Sequence, residues 1–143
     1  MVKKASSTSE SLSRMLDLLN QVLQLEYSLI VHYPRLASAI RDEQARAMVL
    51  QLGSASIRHA DVVADTIIKL GGNPRWSFEA FPEQLDIITI FQGQLEKENL
   101  ALQLHRQSAR LAPDVLLGNK FNELAQEEEA HIQVVKNILS KLA

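Results

Sequence analysis

The chain has no cysteine among its 143 residues. Disulfide bonds, zinc sites built on thiolates and iron–sulfur clusters held by this chain are therefore excluded. A metal ion bound here would have to use oxygen and nitrogen ligands from carboxylates and imidazoles. Such ligands suit iron, manganese or zinc.

Long apolar runs and strong charge of one sign are also missing. Nowhere do about 18 apolar residues follow one another, as a membrane-spanning helix requires, and the opening MVKKASSTSE contains no apolar segment typical of a secretion signal. The formal net charge is only −2, and the Lys and Arg residues are scattered among acids, which argues against a nucleic-acid partner. We therefore expect a cytoplasmic protein with neither membrane nor nucleic acid as partner.

Proline and glycine are few, and most of them fall between long stretches of helical periodicity. The composition, 46% hydrophobic and 22% charged, suits one domain over residues 9–143, preceded by a flexible tail over residues 1–8. The apolar spacing indicates four helices and no strand. They are predicted from about Ser7 to Ile40, from Glu43, capped by Asp42, to Leu70, from Glu83 to Leu111, and from the turn around Pro113 to the C-terminus.

The three predicted connections differ in length. RDEQ and the residues around Pro113 make short turns, whereas the longer segment GGNPRWSFEAFP separates the second helix from the third. Short turns join antiparallel neighbours, so the sequence predicts an all-α fold, an antiparallel four-helix bundle with a long crossover between helices 2 and 3. We expect the crossover aromatics Trp76, Phe78 and Phe81 to cap the open end of the bundle or to cover a partner subunit.

Polar side chains interrupt the apolar stripe of each predicted helix. In chain order they are Glu26, Tyr33, His59, Glu98, His105, Glu128 and His131. A single inward histidine is more often a hydrogen-bonded core residue than a ligand, and a single glutamate can extend to solvent. Three glutamates facing one core would however repel one another, and burying each charge costs on the order of several kcal/mol. A bound divalent cation is the economical counter-charge, so the pattern predicts a metal centre.

These residues make the sequence resemble the ferritin-like superfamily, most closely its bacterioferritin-type branch, over about residues 10–140. EEEAHI resembles the family's Glu-x-x-His, EYSLIVHYP its first-helix ligand with a nearby tyrosine, HAD its second-helix histidine, and LGGNP the start of its crossover. The family places one Glu on each of two helices and a Glu-x-x-His on each of the other two. The resemblance implies the metal ligands Glu26, His59, Glu98, Glu128 and His131, with Tyr33 as the candidate catalytic residue.

One position departs from the family pattern. Three residues before His59, where the family has a glutamate that bridges two metals, this chain has Ser56. The remaining ligands could hold two ions bridged by Glu128, could hold one ion, or could be the remains of a lost site. Ile57 stands where bacterioferritins carry the methionine that ligates haem, so no haem is predicted.

Periodicity leaves several neighbouring residues open. Glu98 fits the apolar stripe of helix three better than Glu96 does, although the resemblance alone does not decide between them. For His105, an outer-sphere or packing role is favoured over that of a metal ligand. The residues expected at the surface are Glu127 and Glu129, and His32 is expected at the surface or at an interface.

Three hypotheses for function follow. In the first, the chain binds one or two iron ions, with manganese or zinc as alternatives, and oxidises Fe(II) with O₂ or peroxide for iron handling or protection from oxidative stress. In the second, it is a non-catalytic assembly or binding module with a structural or vestigial metal site. In the third, the altered site oxidises an organic substrate. We expect a homodimer or a larger homo-oligomer in each case.

Overall fold

The computed structural model describes residues 2–142, with side chains from residue 9 onward. It contains the helices α1 (Val2–Ser38), α2 (Glu43–Lys69), α3 (Ile87–Leu111) and α4 (Val115–Leu142). No strand occurs within residues 2–142, so the all-α prediction is confirmed. The backbone of α1 begins before the predicted start at Ser7, and the predicted tail over residues 1–8 lies outside the residues whose side chains are described.

Local side chains explain where α2 begins and ends. Asp42 accepts a 2.8 Å hydrogen bond from the N–H of Ala45 and caps the helix, as predicted. Arg46 donates to the carbonyl of Ile40 and holds the turn from α1. Gly71, just past the helix, has a φ of +88°, the left-handed conformation that favours glycine at a helix end. The predicted bounds of this helix are therefore confirmed to within a residue.

The start of α3 differs from the prediction. The helix begins at Ile87, whereas the sequence pattern indicated Glu83, which lies in a turn of the crossover. Asp86 accepts a 2.8 Å hydrogen bond from the N–H of Thr89. The first N–H groups of a helix have no partner inside it, and this cap supplies one, so the helix starts where the cap stands.

The crossover over residues 70–86 lies along the side of α1. The N–H of Arg75 donates to the side chain of Asn20, and the N–H of Glu79 donates to the hydroxyl of Ser28, each over 2.8 Å. Two polar side chains of α1 therefore hold the crossover backbone at two points along the helix.

The crossover aromatics pack on α1 and do not cap the open end of the bundle, so that prediction is wrong. Trp76 and Phe78 lie 5.4 and 5.7 Å from Tyr27 between ring centroids, and remain 52% and 49% exposed. Phe81 packs edge-on against His32 at 5.6 Å. The alternative, that a partner subunit covers these rings, stays a prediction.

Two apolar clusters fill the bundle, one on each side of its middle. The Phe121 cluster consists of Met15, Leu18, Leu19, Val22, Leu23, Ala60, Val63, Ala64, Ile67, Leu104, Phe121 and Leu124. The Phe91 cluster consists of Leu29, Tyr33, Leu36, Ala37, Ile40, Ala45, Val49, Leu52, Ile90, Phe91, Val135 and Ile138. All four helices contribute to both clusters, so the middle of every helix lies between them.

The helices pair as predicted. α1 packs mainly against α2 and α3 mainly against α4, while α1 also contacts α3 and α2 only touches α4. None of the helices within residues 2–142 combines the length and the apolar character that a membrane crossing requires. The observed architecture is the antiparallel bundle with a long crossover between α2 and α3.

Candidate metal centre

A layer of buried polar side chains separates the Phe121 cluster from the Phe91 cluster. Its members, contributed by all four helices, are Glu26, Ser56, His59, Glu98, His105, Glu128 and His131. The side chain of His131 is 13% exposed, and the others are at most 1% exposed. Each helix thus changes from apolar to polar and back along its buried face, which places the layer out of reach of bulk water.

Four ligand atoms meet on one side of this layer and form the first ligand group. They belong to Glu26, His59, His105 and Glu128, and all lie within 4.8 Å of one another. His59 Nδ1 is 2.6 Å from Glu128 Oε1 and 3.3 Å from Glu26 Oε2, and His105 Nε2 is 3.7 Å from Glu128 Oε1. Atoms that each bind one ion at about 2.0–2.2 Å lie roughly 3–4 Å apart, so small shifts suffice for the group to surround an ion.

A second ligand group lies beside the first and consists of Glu98, Glu128 and His131. His131 Nδ1 is 3.3 Å from Glu98 Oε2 and 3.6 Å from Glu128 Oε2. Glu128 therefore belongs to both groups and faces them with different oxygens, Oε1 toward the first and Oε2 toward the second. This is the arrangement of a carboxylate that can bridge two metal ions.

Many polar atoms of the layer have no hydrogen-bond partner among the described residues. They are both carboxylate oxygens of Glu26 and of Glu98, Oε2 of Glu128, both ring nitrogens of His105, and Nδ1 of His131. Each buried polar group left without a partner costs about 1–3 kcal/mol. Because these atoms are oxygens and nitrogens grouped at ligand spacing, the residues fit a pair of divalent cations such as Fe(II).

The two histidines that face the carboxylates have raised pKa values. Burial opposes protonation of His59, but its contacts with Glu128 and Glu26 outweigh burial and raise its pKa to about 10. Burial also opposes protonation of His131, and Glu128 and Glu98 raise its pKa to about 9. Both imidazoles of the metal-free chain therefore hold protons at neutral pH, and these protons must leave when a metal ion binds.

The three carboxylates respond differently to the same burial. Burial, reinforced by the charge of Glu128, raises the pKa of Glu26 well above its usual range and that of Glu98 to about 7. Burial acts on Glu128 as well, but its contacts with His105, His131 and His59 hold its pKa well below the usual range. Glu128 is therefore the carboxylate that keeps its negative charge, which a bridging ligand requires.

His59 is held in place by a hydrogen bond on the side of its ring that faces away from the polar layer. Its Nε2 donates to Glu127 Oε2 over 2.9 Å, and Glu127 also pairs with Arg58. A carboxylate that accepts this proton leaves Nδ1 to act as the ligand atom and strengthens metal binding by the imidazole. The prediction that Glu127 is solvated is therefore wrong in part, since its side chain is 40% exposed and contacts His59. The position lies off the buried stripe, so only the packing of α2 against α4 reveals this role.

Tyr33 lies two helical turns after Glu26, and its side chain is fully buried. Its hydroxyl has no hydrogen-bond partner within the described part of the chain. Burial, with the charges of Glu98, Glu128 and Glu26, raises the pKa of Tyr33 well above its usual range, so the phenol keeps its proton. The catalytic role of Tyr33 stays a prediction.

The structure brings all five residues predicted as ligands into the layer, and it settles which glutamate of α3 turns inward. Glu98 is fully buried, whereas Glu96 is exposed. His105, for which the sequence favoured packing or an outer-sphere role over ligation, lies among the ligand atoms of the first group. Ser56 is buried on α2, one turn before His59, and its hydroxyl has no hydrogen-bond partner in residues 9–142.

His32 is not at the surface, so its prediction is wrong. The side chain is fully buried, Nε2 donates to the carbonyl of Glu79 over 2.7 Å, and Nδ1 lies 3.3 Å from Gln94 Oε1. The reason is the crossover, which covers α1 at this point and which helix periodicity does not reveal. His32 is thus a hydrogen-bonded core histidine outside both ligand groups.

The chain belongs to the ferritin-like family. The model of that family, described as a ferritin-like domain, matches residues 16–143. A four-helix bundle whose core holds paired glutamate and histidine ligands is the structure that this family uses for iron and manganese. No curated protein sequence matches the chain.

Solved structures of ferritin-like proteins share the fold. A ferritin-like, diiron-carboxylate protein from Bacillus anthracis is 19% identical with a TM-score of 0.80, covering 90% of this chain and 97% of its own. The bacterioferritin of Desulfovibrio desulfuricans is 21% identical with a TM-score of 0.78, covering 93% and 82%. The dodecameric thioferritin of Bacteroides fragilis is 19% identical with a TM-score of 0.76, covering 99% and 95%. The predicted resemblance to the ferritin-like superfamily is confirmed by the family match, and these structures confirm its fold.

Proposed function

We propose that this chain binds Fe(II) at the two ligand groups and oxidises it with O₂ or peroxide, in iron handling or in protection from oxidative stress. The observation that carries the proposal is the position of Glu128, whose two oxygens face two different sets of ligand atoms. Such a carboxylate holds two ions close enough to act on one oxidant molecule, which takes one electron from each of them.

The other ligands of the layer would hold the ions from the outside. Glu26 of α1 faces the first group and Glu98 of α3 faces the second, so each ion has a carboxylate of its own. Negative ligands stabilise the ferric product more than the ferrous substrate, because the product carries the higher charge. His59, held by Glu127, and His131 complete the two groups with neutral nitrogen and keep their geometry.

Burial of the layer favours this chemistry over the binding of a loosely hydrated ion. The ligand side chains are at most 13% exposed, so an ion that enters must exchange most of its water for these atoms. The phenol of Tyr33 is buried and protonated, and the charges of the layer's three carboxylates reach it and raise its pKa. We assign it the role of a positioning or electron-donating residue within the proposed reaction.

A non-catalytic assembly module is the second candidate, and a specific observation favours it. Ser56 removes one of the four carboxylates that the ferritin-like pattern provides, and α2 carries Leu50, Ile57 and Ile68 on one face, each between 47% and 61% exposed. The missing carboxylate and the exposed apolar face of α2 together suit a chain that assembles around a structural ion. The expected homodimer or larger oligomer belongs to either proposal.

Metal content followed by oxidation tests the proposed function. The full chain is loaded with Fe(II) without oxygen and desalted, the iron per chain is measured, and the ferric absorbance is followed after O₂ or peroxide is added. We expect roughly two irons per chain and prompt oxidation. Glu128→Gln should lose most of the bound iron because it removes the only charge shared by both groups.

Glu129→Gln is the matched control for Glu128→Gln. Glu129 is the next residue of the same helix, but its side chain is 53% exposed and pairs with Arg106 at the surface. Its substitution should leave iron content and oxidation unchanged. Retained Fe(II) that resists both oxidants would favour the structural candidate, and a chain that binds no iron would overturn the proposal.

A further inference from the structure

The first ligand group lacks the α2 carboxylate that the ferritin-like pattern places three residues before the histidine. Ser56 occupies that position, and its hydroxyl is buried without a hydrogen-bond partner among the described side chains. A neutral serine hydroxyl is a poor ligand for a divalent ion compared with a carboxylate. With Ser56 alone, the ion of the first group would have only Glu26, His59 and one oxygen of Glu128.

His105 supplies an additional nitrogen to this same group. It lies on α3 two turns after Glu98, its side chain is fully buried, and neither ring nitrogen has a hydrogen-bond partner in the described chain. Its Nε2 lies 3.7 Å from Glu128 Oε1, the oxygen that faces the first group, and its ring stands perpendicular to that of His59 at 5.7 Å. His105 therefore faces the ligand group that Ser56 leaves incomplete.

Packing alone does not account for this histidine. His105 contacts the ring of Phe121 at 6.1 Å between centroids, a place that an apolar side chain could fill. A buried imidazole whose nitrogens find no partner costs about 1–3 kcal/mol, which an apolar residue would avoid. The buried His32 shows the alternative, since both of its ring nitrogens lie within hydrogen-bond distance of an oxygen, 2.7 Å for Nε2 and 3.3 Å for Nδ1.

We infer that His105 is a metal ligand through Nε2 and completes the first group in place of the α2 carboxylate that Ser56 removes. The inference rests on the proposed function only in that metal ions occupy the two ligand groups, and it holds whether or not the bound iron is oxidised. The ligand set then comprises three carboxylates and three imidazoles, where the ferritin-like pattern has four carboxylates and two imidazoles.

This exchange makes the two halves of the centre unequal. The first group has two imidazoles and two carboxylates, whereas the second has one imidazole and two carboxylates, with Glu128 counted in both. The first ion to bind should therefore occupy the first group. Replacing a carboxylate by a neutral nitrogen costs a trivalent ion more stabilisation than a divalent one, because the lost negative charge attracts the higher charge more strongly. The first group should therefore favour divalent ions more than it would with a carboxylate at position 56.

Binding of Co(II) to the full chain tests the inference without any oxidation step. Equilibrium titration followed by visible absorption should give two binding steps in the parent protein. His105→Gln should weaken the tighter step by at least about 100-fold and leave the weaker step within about threefold. The double variant Ser56→Glu with His105→Gln should recover the tighter step to within about tenfold of the parent, because it restores a carboxylate to the first group.

His32→Gln is the matched control, since it removes a buried histidine of the same bundle that lies outside both ligand groups. Both binding steps should be unchanged in it. If His105→Gln binds Co(II) as the parent does, His105 is a packing residue and the inference is overturned. A parent chain that binds no Co(II) overturns it as well.

A measurement on the unchanged chain covers the case in which His105→Gln does not fold. In the Co(II)-loaded parent, each ligating imidazole contributes one exchangeable ring N–H proton shifted far outside the normal proton NMR range. Three such signals are expected from His59, His105 and His131, and two would overturn the inference. The two proposals can fail separately. If the Co(II) form gives three signals and the chain binds Fe(II) but never oxidises it, the proposed function fails and His105 remains a ligand.

Discussion

The middle of the bundle and its two ends are built from the same four helices but on opposite physical grounds. The Phe121 and Phe91 clusters consist of side chains that gain free energy simply by leaving water, about 25 cal/mol for each Å² of apolar surface buried. The layer between them buries carboxylates, imidazoles and hydroxyls, and many of their polar atoms lose hydration without finding a hydrogen-bond partner in the described chain. The ends therefore stabilise the fold by themselves, whereas the middle contains many polar atoms that a bound ion would satisfy.

This difference divides stability from function along each helix. Leu23 and Leu29 on α1 lie on either side of Glu26, and Phe121 and Val135 on α4 lie on either side of the Glu128 region. Because the clusters hold the helices in register from both sides, the polar layer can remain poorly satisfied without separating them. Substitutions in the apolar clusters should therefore lower stability equally with and without bound metal. Substitutions in the polar layer should act mainly on the stability that metal binding adds.

The largest effect is expected in an apolar cluster. Phe91→Ala removes a fully buried ring and should lower the free energy of unfolding by about 3–5 kcal/mol. The loss should be equal with and without bound metal, since Phe91 belongs to neither ligand group. Urea unfolding of both forms measures it, with the exposed Leu100→Ala as a control that changes stability by about 0.5 kcal/mol or less. A loss confined to the metal-bound form would contradict the division between the regions.

The next effect concerns Glu26 in the polar layer. Burial and the charge of Glu128 disfavour its ionised form, so Glu26→Gln should leave the metal-free protein as stable as the parent or more stable. The stabilisation by metal should largely disappear, a loss of about 2.7 kcal/mol for a parent studied at a metal concentration 100 times its Kd. Urea unfolding with chelator and with Co(II) gives both values.

Glu96→Gln is the control for Glu26→Gln, because Glu96 is an exposed glutamate of α3 outside both ligand groups. It should keep the full stabilisation by metal. The division between the regions fails if Glu26→Gln lowers the stability of the metal-free and metal-bound forms equally.

A smaller effect is expected at the edge of the layer. Glu127→Gln removes the carboxylate that accepts a hydrogen bond from His59 Nε2, and should weaken metal binding by about 10–100-fold while the ligands themselves stay in place. Titration with Co(II) measures the change, and the exposed Glu129 again serves as the control position. Unchanged affinity would show that the contact orients nothing that matters for binding.

The sequence predicts the parts of this molecule that depend on short-range pattern. The four helices, the cap at Asp42 and the inward turn of Glu98 over Glu96 follow from periodicity and local chemistry. The start of α3 was missed because the cap at Asp86, and not the acidic residue at Glu83, decides it. Periodicity counts which residues share a face, and within single helices it does so correctly.

The errors at the site concern contacts between helices. His32 is buried because the crossover runs over α1, Glu127 reaches His59 because α2 faces α4, and His105 joins the first group because α3 brings it there. None of these contacts has a spacing within one helix, so no pattern in one helix could indicate them. Only the assembled bundle shows that the unpartnered nitrogens of His105 face the ligand group in which Ser56 replaces a carboxylate.

The smallest effect, counted for each imidazole and each pH unit, is a dependence of stability on pH. The polar layer alone should produce it. In the metal-free protein the pKa of His59 is raised to about 10 and that of His131 to about 9, against about 6.5 for an unfolded histidine. The folded state therefore binds more protons than the unfolded state between pH 6.5 and 9, and stability falls as pH rises, by at most about 1.4 kcal/mol per pH unit for each of the two imidazoles. Thermal unfolding in the presence of chelator measures this slope. It should be flatter in His131→Gln, because one of the two groups no longer titrates, and unchanged in Phe91→Ala. A stability that rises between pH 6.5 and 9 would show that the layer does not hold its imidazoles protonated, and that it is less costly without metal than its unpartnered atoms indicate.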